Sequence, residues 1–207
     1  MIHANPPSDI FISISHACDG VVNKLPRLLF VTTLTITLMV VPAVAQTPSF
    51  HGLGQMPGVW PAAGTYASAI SGDGLVIVGE ARDASGFWRA FRWTASTGMQ
   101  DIGTLGGPES AAFAVNFDGT VIVGTSLTSS GSGSNDAFVW TAMMGMRDLK
   151  TALQAVGVHT ADKWVSLTTV DGISADGTII VGYGLNPRTN AFPFGQWEPF
   201  RVVLPVP

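Results

Sequence analysis

The chain has 207 residues, a formal net charge of -4, 46% hydrophobic residues and only 12% charged ones, with 24 Gly and 13 Pro. That much apolar surface excludes a disordered chain. The mild acidity excludes the basic footprint of a nucleic-acid binder, and no Lys/Arg cluster is present to hold an anionic membrane surface. Low charge with abundant glycine points to a β-rich, loop-rich domain rather than a helical one.

At the N-terminus, Lys24 and Arg27 precede the apolar run Leu28–Val41, followed by Pro42 and the small residues Ala43–Ala45. A basic region, a short apolar region and small residues before the break predict a signal peptide over 1–45, cleaved after Ala45. The apolar run is short for a membrane span of about 20 residues. The first twenty residues make a long leader, so a start at Val21 or Val22 is an alternative. Cleavage removes the only cysteine, Cys18, together with two basic and two acidic residues, which leaves the net charge unchanged. Residues 46–207 therefore carry neither a disulfide nor a thiol nucleophile. The expectation is one β-repeat domain over 46–207, extracellular or periplasmic and without membrane attachment after cleavage.

The segment ISGDGLVIVGEA, 70–81, returns as VNFDGTVIVGTS at 115–126 and ISADGTIIVGYG at 173–184. AFRWT (90–94) returns as AFVWT (137–141) and, weaker, PFRVV (199–203); GMQDIGTL (98–105) returns as GMRDLKTA (145–152). Self-similarity at this spacing means a repeat architecture. The predicted repeats are about 59–105, 106–150 and 151–205. Each reads as four short strands, in the first unit about 66–71, 75–81, 89–95 and 99–104.

The pairs Asp73-Gly74, Asp118-Gly119 and Asp176-Gly177 mark hairpin turns, since Gly accepts positive φ and Asp caps the turn with its side chain. The uninterrupted runs LVIV, TVIV and TIIV fit strands covered on both faces. Phe91/Trp93, Phe138/Trp140 and Phe200/Val202 lie two apart, on one face, and are expected between neighbouring sheets. Gly79, Gly124 and Gly182 suit a bulge or a close backbone approach.

The segment SLTSSGSGSND, 126–136, reads as a flexible loop. DLKTALQAVGV, 148–158, predicts a short helix in the third repeat, with Asp148 as N-cap and Leu149, Leu153 and Val156 on one face.

The third unit lacks an evident fourth strand. GLGQMPG, 52–58, aligns with DIGTLGG, 101–107, so that Gly54 matches Gly103, Met56 matches Leu105 and Gly58 matches Gly107. Residues 50–58 are therefore expected to supply the last strand of the last sheet, as in a propeller. That strand either closes a small ring within one chain or is exchanged in a homodimer of six blades. The predicted fold class is all-β: a propeller-like array of three four-stranded sheets.

Together the pattern A-x-x-(I/V)-(S/N)-x-D-G-x-(V/I)-I-V-G, then A-F-x-W-T, then G-M-x-D-(I/L)-G-T-L-G-G resembles the bacterial extracellular HAF repeat family. ALQAVGV and KWVSLTTVDGISADGTIIVGYGLNP, within 152–187, resemble that family's usual C-terminal repeat. The resemblance covers about 50–205. It implies an exported repeat protein with propeller-like sheets and supplies no reaction. The longer AFPFGQWEPF (191–200), the Val202 in place of Trp and the small number of repeats depart from the family pattern.

Few residues suggest chemistry. The three aspartates lie in separate repeats without the closely spaced oxygens of a calcium loop. His51 and His159 lack metal-ligand spacing, and no G-x-S-x-G nucleophile motif is present. No metal or cofactor is called for. Glu80, Asp83, Asp101 and Glu198 are candidate carboxylates for glycosidic acid–base chemistry, although Glu80 and Asp83 flank Arg82 and fit a solvated loop with a local ion pair. Trp60, Trp88, Trp164 and Trp197 fall outside the F-x-W core positions. Trp88 and Trp197, in loops, are the candidate ligand-binding residues, because exposed indole faces stack on sugar rings or proteins. The function expected is a non-enzymatic surface-interaction module for a glycan or protein partner; the alternative is an enzyme acting on extracellular polysaccharide.

Overall fold

The computed structural model describes residues 48–58, 64–129, 135–187 and 195–204. The expected signal peptide, Trp60 and the centre of the Gly/Ser loop lie outside these residues.

Among the described residues eleven strands form three antiparallel sheets. The first holds β1 (Thr65–Ile70), β2 (Ile77–Arg82), β3 (Trp88–Thr94) and β4 (Gly98–Asp101), paired in chain order. The second repeats this with β5 (Gly106–Val115), β6 (Val121–Thr128), β7 (Asn135–Thr141) and β8 (Gly145–Asp148). The third holds β9 (Ser166–Ile173), β10 (Ile179–Asn186) and β11 (Gln196–Val203), again in chain order. The expected strands of the first unit match to within a few residues.

Between the second and third sheets lie α1 (Leu149–Ala155) and a 3-10 turn, Thr160–Lys163. Asp148 caps α1 by accepting from the Thr151 N–H at 2.7 Å. Leu149 and Leu153 are buried, whereas Val156 stands exposed at the helix end.

Each sheet has two unlike faces, because strand side chains alternate. The leading face carries the repeated Phe. The trailing face carries the outer valines of the apolar run. Val76, Val78 and Ala90 of the first sheet's trailing face share a core with Ala112, Ile122 and Phe138 of the second sheet's leading face. Val121, Val123, Ala137 and Val139 then pack on Leu167, Val170, Ile180 and Val202 of the third, with Phe200, Leu149 and Leu153. Phe138 and Phe200 thus fill the two interfaces between sheets, as their spacing predicts, whereas Phe91 and Trp93, expected between sheets too, lie on the first sheet's outer face against residues 53–56.

The repeated glycine makes this packing possible. An added Cβ would meet a backbone oxygen at 2.0 Å at Gly79 (Tyr66), 2.1 Å at Gly124 (Ala111) and 2.1 Å at Gly182 (Thr169), and would touch the rings of Phe91, Phe138 and Phe200. In each sheet the register of the first strand slips at this position, which marks a bulge.

Two expectations are corrected. Among the described residues the third sheet has three strands, not four. Residues 50–58 do not complete it: Met56 is buried against Phe91, Ala81 and Met99 on the leading face of the first sheet, and the Leu53 carbonyl accepts from Trp93 Nε1 at 3.1 Å. The alignment with 101–107 explains why. Ile102 and Leu105 do not extend β4; they turn onto the leading face of the next sheet, beside Phe138. Met56 takes the corresponding place beside Phe91, and the Leu53 carbonyl meets Trp93. The segment behaves as a linker laid over a sheet face and not as a paired strand.

Candidate functional site

The three Asp-Gly turns lie together along one side of the stack. The Asp73 N–H donates to the Phe117 carbonyl at 3.0 Å, and the Phe117 N–H to the Ala175 carbonyl at 2.9 Å. The turns of successive sheets are therefore joined backbone to backbone. Within each, one carboxylate oxygen accepts from the N–H two residues on: Asp73 from Leu75 at 2.9 Å, Asp118 from Thr120 at 3.1 Å and Asp176 from Thr178 at 3.0 Å. Ser71 and Ser174 hydroxyls donate to their aspartates, as Thr120 does to Asp118. Gly74, Gly119 and Gly177 adopt φ of 76°, 71° and 76°. Those hydrogen bonds, side-chain donors first, hold all three carboxyl groups below the usual aspartate range. Such lone pairs are committed to the turn, and among the described residues no group of three or more His, Cys, Asp or Glu is arranged to hold a metal.

The candidate carboxylates are scattered. Asp101 is ion-paired to Arg89 at 2.9 Å and accepts from the Gly103 N–H at 2.7 Å. Asp83 caps its own turn through Ser85 and Phe87 N–H groups at 2.9 and 3.0 Å. Glu198 accepts from the buried Asn186 amide at 2.8 Å, in the third sheet. Glu80 is half-buried on β2; burial, with Glu109 nearby, raises its pKa. Asp101 and Glu198 line different cavities. Arg82, expected in an ion pair with its neighbours, instead lies 4.3 Å over the Trp88 ring and donates to the Gly86 carbonyl.

The two candidate tryptophans are held differently. Trp88 opens β3 and is boxed by Arg82 and by Tyr66, whose ring centroid is 5.5 Å away. Trp197 on β11 is 62% exposed and meets Tyr183 of β10 edge-to-face at 5.8 Å. The structure places them on the first and third sheets and does not bring them together. Trp164 packs edge-to-face on Phe200 at 6.1 Å, inside the stack. His51 is exposed, and His159 reaches Asp162 at 3.2 Å on the surface.

Around Trp197 the structure shows a surface that sequence reasoning missed. Val181, Tyr183 and Val203 are exposed on the trailing face of the third sheet, in register with Arg201, Pro199 and Ile179. Val181 occupies the position of the fully buried Val78 and Val123. The signal was in the sequence: Tyr183 stands where the first two repeats have Glu80 and Thr125, so the third copy has a more apolar face than its relatives. Nothing in the periodicity says that, among the described residues, no sheet covers this copy.

No protein-family model matches the chain, and no curated protein matches it. Among solved structures it is similar to TolB from Acinetobacter baumannii, at 15% sequence identity and a TM-score of 0.42, over 73% of this chain and 34% of TolB. The chain spans about a third of TolB's length. Among the described residues no helix is long and apolar enough to cross a membrane.

Proposed function

We propose that the chain is an exported, non-catalytic repeat protein of the HAF type, a propeller-like binding module that engages its partner through the trailing face of the third sheet. One observation carries the reading. The face that is buried under a following sheet in the first two repeats is here exposed among the described residues, and it carries Trp197, Tyr183 and Val181. A flat surface of this kind gives apolar area at little conformational cost, since Trp and Tyr have few rotatable bonds. The candidate carboxylates, by contrast, are dispersed, and Asp83, Asp101 and Glu198 are bonded locally, which argues against the acid–base enzyme.

Retention of residues 46–207 on immobilised bacterial and plant polysaccharides tests the reading. Saturable retention is expected, reduced at least about tenfold by Trp197→Ala, while Trp88→Ala, in its box with Arg82 and Tyr66, has a smaller effect. Absence of retention on every polysaccharide removes sugars as ligands of this face. Retention that survives Trp197→Ala places the binding surface elsewhere.

A further inference from the structure

We propose that the open edge of β11 accepts an extended strand from another polypeptide, which pairs with it as the fourth strand of the third sheet. The proposal is independent of the face described above, because it uses the edge and the opposite side of the same strand.

The first two sheets display the strand that belongs there. β4 reads GMQD and β8 reads GMRD. They pair in the same register, Trp93 with Met99 and Thr94 with Gly98, then Trp140 with Met146 and Thr141 with Gly145. Their methionines turn onto the leading face: Met99 is buried beside Phe91, and Met146 packs on the core around Phe138. In the third sheet no described strand pairs with β11 on its outer side.

That edge has what a strand needs. The Leu204 N–H is spent on the Thr178 carbonyl at 2.7 Å, toward β10. Alternation along the strand therefore turns the peptide groups of Arg201 and Val203 outward, toward the vacant position. Beside them, on the leading face, is a cavity of about 660 Å³. All six residues Glu198–Val203 line it, so it runs along the strand. Its apolar wall is built by Leu153, Ala161, Trp164, Phe200 and Val202. This is the place that Met99 and Met146 fill in their own sheets. The insertion of α1 and the 3-10 turn walls the seat without occupying it.

The register specifies the occupant. A Gly lies opposite Val203, a long unbranched apolar residue, best Met, opposite Val202, and Gln or Glu opposite Arg201, where a Lys would set two cations face to face. Main-chain hydrogen bonds give the affinity, and the methionine seat gives the selectivity, as in other strand-addition complexes. Both G-M-x-D segments of the sequence are already paired in their own sheets; the donor proposed is an extended segment of a partner protein with this pattern.

A fluorescent peptide copying residues 97–103, titrated with the full chain, tests it. Saturable one-to-one binding is expected, lost on replacing the peptide's Met by Asp and unchanged by Trp197→Ala in the protein. Arg201→Pro removes an outward N–H at an edge position where proline is tolerated, and weakens binding roughly tenfold. Should that variant not fold, amide exchange in the unsubstituted protein replaces it: the Arg201 and Val203 amides gain protection when peptide is added. No saturable binding up to about 1 mM peptide, unchanged exchange at those amides, or binding that Trp197→Ala abolishes would each overturn the proposal.

Discussion

At Asp73, Asp118 and Asp176 a carboxylate oxygen takes the place of a backbone acceptor and ties each hairpin turn to the strand that leaves it. The charged form makes these bonds, so the folded state binds protons there less tightly than the unfolded chain does. Their stabilisation is present above the ordinary aspartate pKa and is lost as pH falls through the lowered values, below about pH 4. Glu80 and Asp136 have the opposite sign. Burial raises both, helped by Glu109 and Asp148 respectively. The folded state therefore favours their protonated forms, and that stability is full below the ordinary values and lost as pH rises through the raised ones. The melting temperature is expected to peak in mild acid and to decline toward neutrality. Glu80→Gln with Asp136→Asn should flatten the neutral side and leave the acid side intact. Calorimetry from about pH 3 to pH 8 checks this; a native protein whose melting point climbs steadily to pH 8 contradicts it.

The repeating element is a hairpin whose first strand bulges opposite a glycine, so that a Phe ring from the third strand can lie over the gap. At Gly124 the contacts leave no room: a methyl group would sit 2.1 Å from the Ala111 oxygen and 2.9 Å from the Phe138 ring. One of these atoms must move, and both belong to the centre of the stack. Gly124→Ala is expected to lower stability by at least about 3 kcal/mol, seen as a fall in melting temperature or denaturant midpoint. Gly52→Ala, with open space around its Cβ, is the matched control and should change little. The element also explains what was legible. The Asp-Gly turn, the apolar run and the F-x-W pair are short-range patterns with short-range causes, so strand positions, caps and the α1 N-cap at Asp148 follow from them.

At the largest scale, among the described residues, the three sheets form an array with two ends that are treated differently. The leading end is covered by the chain itself, through Met56 and Leu53 over Phe91 and Trp93. The trailing end leaves Val181, Tyr183 and Trp197 exposed and, among the described residues, β11 without an outer neighbour. Met56 is buried against apolar neighbours, so Met56→Ala should cost about 2 kcal/mol and expose Phe91, raising binding of a hydrophobic dye. An unchanged melting temperature with no added dye binding would show that Met56 is not what seals that face. A cap on one end and a bare, apolar surface on the other direct any association to the third sheet.

The sequence by itself determined the β class, the three repeats, the turn chemistry and the glycine and phenylalanine positions, because these depend on neighbours a few residues apart and on side-chain alternation. It also matched residues 52–58 to 101–107. It did not say where that segment goes, since similarity reports what a segment resembles and not which face is vacant. Only the tertiary structure decided that it lies over the first sheet, that Trp88 is boxed by Arg82 and Tyr66 while Trp197 stands exposed beside Tyr183, and that among the described residues no strand pairs with the outer edge of the third sheet. Those outcomes depend on which surfaces remain uncovered after all other packing is satisfied, a property of the assembled stack that no local pattern carries.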